Sequence, residues 1–211
     1  MNTTELPKIY LATSSQFDRD KFPDVLTDVL AKHNVACLRL DFKSQNEEDV
    51  IRSADICREI AHRRDIPVVI TNHVHLVAKL GLDGVHLESG ARYVRAVRKQ
   101  LGNAAIVGSF CQDSRHEGIT AGEAGADYIS FGPVTTTLLG SGKSADIGLF
   151  EWWSEMIEIP VIAEGNITGH HLQELAPVVD FIGVGEEIWH CDNPAEKLAV
   201  ILQNMLRIDA V

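Results

Sequence analysis

Apolar residues in this chain fall into short, nearly uninterrupted runs, separated by longer stretches in which apolar and charged positions alternate with helical spacing. Eight such runs recur at intervals of roughly 20 to 30 residues, the rhythm of repeated βα units. They cover 8–13, 36–42, 67–72, 84–88, 105–111, 128–134, 160–165 and 181–187. Most are β-branched or apolar throughout, as strands buried on both faces of a parallel sheet must be. Between them, Val25, Leu26, Val29 and Leu30 form one apolar stripe, Val50, Ala54, Cys57 and Ala61 a second, and Val94, Ala96, Val97 and Leu101 a third. Gly81, Gly102 and Gly125 stand where helices must stop, and Pro67 and Pro160 head the third and seventh strands. These features predict an α/β chain folded as one (β/α)8 barrel, the TIM-barrel architecture, spanning 1–211 as a single domain. The one long break, 135–148, is polar and Gly-rich and follows the sixth strand, so it is expected to project from the active-site face as a lid.

Composition narrows the function. With 45% apolar and 23% charged residues, the chain belongs with soluble globular proteins. A formal net charge of -11 argues against nucleic acid as a partner, because phosphate neutralisation needs clustered Lys and Arg. A small anionic ligand stays compatible, since a few local backbone donors can hold it. The start of the chain lacks a secretory pattern and no run reaches a membrane span, so a cytoplasmic location without membrane association is expected; a homo-oligomer is left open. Cys37, Cys57, Cys111 and Cys191 are scattered, which suits reduced core residues.

Four regions could carry chemistry. In 160–168 a strand ends at Gly165, passes Asn166 and enters a helix with Thr168 as candidate N-cap; either a phosphate meets the backbone there or the segment is a plain turn. In 181–189 Gly183 and Gly185 end the last strand, and barrels often use the loops after strands seven and eight together to bind phosphate. Glu186 and Glu187 oppose that use; if Glu186 points inward, the site suits a hydroxyl or amine better. The ends of strands two to four carry Arg39 and Asp41, then Asn72, His73 and His75, then His86 and Glu88. Alternation directs Arg39 and Asp41 to one face, and His86 and Glu88 likewise, so they form either a satisfied polar layer or a site. In a site, Arg39 would hold an anion, Asn72 would read a ring edge, and His73 or His86 would move a proton. A metal on His73, Glu88 and Asp41 is chemically allowed, but the spacing does not signal one. The lid supplies Thr135, Thr136, Thr137, Ser141 and Lys143 for closure over an anion, or is a solvated loop. Trp152 and Trp153 read as packing residues, Arg63, Arg64 and Asp65 as a solvated helix end, and Cys111 as a nucleophile without a nameable base.

The stretches 67–87, 122–134 (GEAGADYISFGPV) and 160–167 (PVIAEGNI) resemble the family of thiamine phosphate synthase and its thiazole tautomerase relatives, over about residues 8–190. The resemblance implies a barrel that joins a pyrimidine methyl pyrophosphate to a thiazole phosphate, giving thiamine phosphate and pyrophosphate, with magnesium as cofactor. It implies Arg39 and Lys143 on the leaving pyrophosphate, Asn72 on the pyrimidine, and Thr137 at the start of the pyrophosphate loop. Gly165, Gly183 and Gly185 would then hold the thiazole phosphate. The departures fall on the chemistry. His73 and Ala91 replace the two magnesium carboxylates, Asp41 replaces a basic residue for which Lys43 is the substitute, and Gln112 replaces the tautomerase His. A barrel that binds a phosphorylated thiazole without turning it over is the alternative.

Overall fold

The computed structural model describes residues 6–44, 46–135, 139, 143–167 and 169–206. Eight parallel strands close in sequence order: β1 (Lys8–Ala12), β2 (Val35–Leu40), β3 (Val68–Thr71), β4 (Gly84–Leu87), β5 (Ile106–Phe110), β6 (Tyr128–Phe131), β7 (Val161–Ala163) and β8 (Phe181–Val184), with β8 pairing back to β1. The outer ring comprises α1 (Phe22–Lys32), α2 (Glu47–His62), α3 (Val74–Leu80), α4 (Val94–Leu101), α5 (Arg115–Glu123), α6 (Ile147–Met156) and α7 (Gly169–Leu175), followed by the short α8 (Glu186–Trp189) and α9 (Pro194–Leu206). All eight expected strands are present, but each ends before its apolar run does, and Thr13, Asp41, Asn72, Glu88, Glu164 and Glu187, beyond six of the strand ends, line the mouth of the barrel.

Alternation along the strands makes two cores. Outward residues such as Leu38, Ile70 and Val107 pack with the helices in the main cluster, whereas Tyr10, Cys37, Val69, Tyr128 and Ile162 fill the barrel interior. The helix stripes meet the barrel as expected except at Ala96, which is exposed while Val94 and Val97 are buried. Trp153 is fully buried and its indole N–H donates to the Ile159 carbonyl at 2.8 Å, so it packs rather than stacks on a ligand. Burial pushes the Cys111 thiol up to about 12, which removes it as a nucleophile at neutral pH.

A two-unit repeat underlies the ring. Asp83, Asp127 and Asp180, each just ahead of an even strand, accept the backbone N–H of Val68, Val107 and Val161 at 2.7, 2.7 and 2.8 Å. Each fastens the start of the preceding odd strand at the amino-terminal face. At the opposite face the residue following β3, and one shortly after each of β5 and β7, are left-handed: Asn72 (φ 60°), Gln112 (φ 54°) and Asn166 (φ 52°). Non-glycine residues adopt such angles rarely, and here they sit on the rim where barrels do chemistry.

Candidate active site

A cavity of about 810 Å³ opens at the carboxyl ends of the strands, lined from β1 to β4, from β7 and β8, and by Leu139 of the loop after β6. At its floor lies Arg39, 7% exposed. Its guanidinium is held on two sides: Nη2 lies 2.9 Å from Glu164 Oε2 and 3.1 Å from Asp41 Oδ2, and Nε donates to Asp41 Oδ2 at 3.2 Å. Burial works against the charge, but Asp41 and Glu164 outweigh it and raise the Arg39 pKa further. Asp41 is fixed in turn by the Thr71 hydroxyl, and its backbone N–H donates to Thr13 Oγ1 at 3.0 Å.

Beneath Arg39 a hydrogen-bonded column descends into the barrel. Arg39 Nη1 meets His86 Nε2 at 3.2 Å, His86 Nδ1 meets the Tyr128 hydroxyl at 3.0 Å, and that hydroxyl meets Tyr10 Oη at 2.5 Å. Guanidinium N–H groups only donate, so Nε2 accepts and Nδ1 carries the proton. Burial, then the Arg39 charge, holds His86 well below the usual histidine range. The expectation that His86 touches substrate is corrected: it is 1% exposed and lies under the cavity, where it props Arg39 from below.

Asn72 and His73 reach the cavity wall. The Asn72 amide donates to Glu88 Oε2 at 2.6 Å and accepts the Glu88 N–H at 3.1 Å, so β3 and β4 are laced across the rim. His73 Nδ1 bonds the Thr71 carbonyl at 2.7 Å, which leaves Nε2 as an acceptor. His75 lies apart, 3.6 Å from Glu47 on the outside.

The glycines of the proposed phosphate turns serve packing as well as access. A Cβ on Gly165 (φ 99°) would stand 2.6 Å from Pro133 Cα, and one on Gly183 would stand 2.7 Å from Glu164 Cβ. Both positions exclude side chains on internal grounds. Gly185 meets nothing nearer than 3.4 Å, yet its N–H donates to Glu187 Oε2 at 2.9 Å. Glu186 points inward: its carboxylate accepts from Ser15 N at 2.8 Å and from Ser14 Oγ at 3.0 Å. Burial opposes the Glu186 charge, but these bonds lower its pKa overall. Glu187 is raised by burial and by the neighbouring Glu164 and Glu186 charges.

Five carboxylates (Asp41, Glu88, Glu164, Glu186 and Glu187) therefore face the cavity with two cations, Arg39 and Lys43. Lys43 is at the wall, whereas Lys143 is exposed on the loop after β6 and is not among the described lining residues. Thr136, Thr137, Ser141 and Thr168 lie outside the described residues; Thr135 donates to the Asn166 carbonyl at 3.0 Å, tying that loop to β7. The residue that sequence reading missed is Glu164. Its position two residues beyond inward-facing Ile162 in an apolar strand was the available signal.

Magnesium fits these residues poorly. Asp41 is committed to Arg39 and Thr71, Glu88 to Asn72, and no group of three His, Cys, Asp or Glu among the described residues converges as a metal site.

Parallel closure, an internal polar floor and a roomy mouth at the carboxyl ends define a barrel of the small-molecule enzyme class. Comparison makes this specific. The profile of the thiamine monophosphate synthase family matches residues 9–188, so the chain belongs to that family. The thiamine-phosphate synthase of Rhodospirillum centenum is 36% identical over 199 residues, covering 91% of this chain and 94% of that protein. That of Erythrobacter litoralis is 33% identical over 201 residues, covering 92% and 94%. The thiamine phosphate pyrophosphorylase from Pyrococcus furiosus shares the fold, with a TM-score of 0.81 at 19% identity over 99% of this chain and 100% of that one. Thiamine-phosphate synthases are generally magnesium-dependent. No helix among the described residues is long and apolar enough to cross a membrane.

Proposed function

We propose that this chain catalyses thiamine phosphate synthesis, joining a pyrimidine methyl pyrophosphate to a thiazole phosphate with release of pyrophosphate. The observation that carries the reading is the family match across 9–188, which spans every strand that lines the cavity. In the transfer, the bond between the pyrimidine methylene carbon and pyrophosphate oxygen breaks, and the thiazole nitrogen supplies the electron pair for the new C–N bond. Arg39 at the floor and Lys43 at the wall would attract the departing pyrophosphate, with Lys143, exposed after β6, as a further cation for it. Asn72 would read the pyrimidine edge, with His73 beside it offering Nε2 as acceptor. Gly165, Asn166, Gly183 and Gly185 would frame the thiazole. Incubating purified protein with both substrates and magnesium should yield thiamine phosphate above a no-protein control; its absence would overturn the reading.

One observation favours a second reading. Arg39 is already neutralised by two carboxylates and Gly185 N–H is already bonded, so the barrel would bind a thiazole-like metabolite without transferring anything to it. Saturable calorimetric binding without product formation is the outcome that reading requires.

A further inference from the structure

The polar groups inside the barrel close into a cycle around the guanidinium of Arg39. Nη1 meets His86 Nε2 at 3.2 Å, His86 Nδ1 meets the Tyr128 hydroxyl at 3.0 Å, and that hydroxyl meets Tyr10 Oη at 2.5 Å. The Tyr10 ring then lies under Arg39 Cζ, 5.7 Å from the ring centroid, and completes the circuit. The rings are held along with the bonds: His86 stacks on Tyr128 at 14°, and Tyr10 meets Tyr128 edge-on at 60°. Gly108 on β5 makes the room, since a Cβ there would overlap the Tyr128 ring. Apolar side chains would fill this space without desolvating three polar groups, so the cycle points to a use beyond packing. That use concerns the hydrogens Arg39 keeps. Asp41 and Glu164 occupy its Nε and Nη2 edge and offset its charge, so what remains for a ligand is direction. Nη1 carries two hydrogens; His86 accepts one, and no other acceptor among the described residues meets the second, in a side chain that lines the cavity floor. This charge-assisted N–H stays aimed only while His86 Nε2 is an acceptor. Tyr128 keeps it so by accepting from Nδ1, and Tyr10 holds Tyr128. In the other tautomer two donors would face each other at Nη1.

We propose that His86 and Tyr128, with Tyr10 closing the cycle, are positioning residues for pyrophosphate release: they fix the His86 tautomer and so aim the second Nη1 N–H of Arg39 at the leaving group. The inference rests on the pyrimidine-transfer reading and adds to it two residues, His86 and Tyr128, that lie outside the cavity lining. As the C–O bond to pyrophosphate breaks, its electron pair leaves on oxygen, and the aimed N–H meets the charge that gathers there. No proton is transferred in this step, and His86 stays neutral throughout.

The test compares three variants with the wild type. Tyr128→Phe keeps the stacked ring and removes the hydroxyl, His86→Leu removes the acceptor that faces Nη1, and His86→Gln keeps an acceptor near the place of Nε2. Each is titrated calorimetrically with inorganic pyrophosphate and, separately, with thiazole phosphate, and kcat and KM are measured for the pyrimidine pyrophosphate, all with magnesium present. Tyr128→Phe and His86→Leu should weaken pyrophosphate binding about tenfold, lower kcat by a similar factor and leave thiazole phosphate binding within about twofold. His86→Gln should recover most of the loss. A merely structural role would move both ligands together and would gain nothing from Gln. Equal losses for the two ligands, no loss for pyrophosphate, or Gln no better than Leu, in folded variants, overturns the inference while leaving the transfer reading intact. Should Tyr128→Phe and His86→Leu not fold, Tyr10→Phe opens the cycle by removing one hydroxyl and should weaken pyrophosphate binding in the same selective way; unchanged binding overturns the inference. If the wild type makes no thiamine phosphate, the transfer reading fails, and the pyrophosphate titrations still decide whether the cycle aims Arg39. A wild type that binds no pyrophosphate overturns it.

Discussion

Replacing Arg39 with methionine removes the only cation among the described residues that pairs with the buried carboxylate of Glu164. The two side chains are 8% and 6% exposed and their atoms 2.9 Å apart, so the pair is screened little by water. Removing one partner of such a pair costs about 3–5 kcal/mol, because the other charge stays buried and uncompensated. Asp41, 26% exposed and bonded to Thr71, adds less because solvent reaches it. For a chain of this size each kcal/mol lowers Tm by about 2–4 °C, so a loss of roughly 6–20 °C is expected. Urea unfolding followed by tryptophan fluorescence measures the free energy directly. The double variant Arg39→Met/Glu164→Leu removes both buried charges and should recover about 1–3 kcal/mol of that loss. A single-variant cost below about 1 kcal/mol, or a double variant no more stable than the single, would refute the claim that a buried ion pair forms the cavity floor.

The His86 column predicts a pH dependence. Its folded pKa lies well below the ordinary 6.5, so between those values the unfolded chain binds more protons. The contribution is complete above about pH 6.5 and is lost as pH falls toward the folded value, with a slope of up to about 1.4 kcal/mol per pH unit. Urea midpoints of the wild type should show this slope and those of His86→Asn should be flatter; equal slopes would count against it. Gly165→Ala combines a positive φ with a 2.6 Å approach to Pro133 and should cost about 1–3 kcal/mol, whereas Gly185→Ala should stay within about 1 kcal/mol; calorimetric melts that rank them the other way would be evidence against the packing role. Asp180→Ala strands the Val161 N–H at the foot of β7 and should cost about 1–2 kcal/mol in the same melts; no change would mean water replaces the carboxylate.

The barrel was legible because each βα unit announces itself locally. An apolar run such as 67–72, bounded by Pro67 and a polar Asn72, needs no distant partner to read as a strand, and Gly81, Gly102 and Gly125 mark helix ends by their own left-handed or otherwise positive φ. The strand ends were less legible. Gly132 follows β6 because a Cβ there would stand 2.3 Å from the Glu164 carbonyl, a constraint set by a neighbouring strand. The site was legible only as residue types. Arg39 and Asp41 could be placed on one face by alternation, but the pairing of Arg39 with Glu164 joins strands far apart in sequence. His86 shows the same limit: its chemistry suggested a proton carrier, while closure of the barrel put it beneath Arg39 with both ring nitrogens engaged. For Glu186 the sequence left two orientations open, and the hydrogen bonds to Ser14 and Ser15 select the inward one.

That this barrel transfers a pyrimidine methyl group is tested most directly by pyrophosphate release from the pyrimidine substrate, measured with and without a thiazole acceptor. Release that depends on acceptor and matches the thiamine product one for one is expected. No release with the thiazole phosphate, from protein shown to be folded, would contradict it.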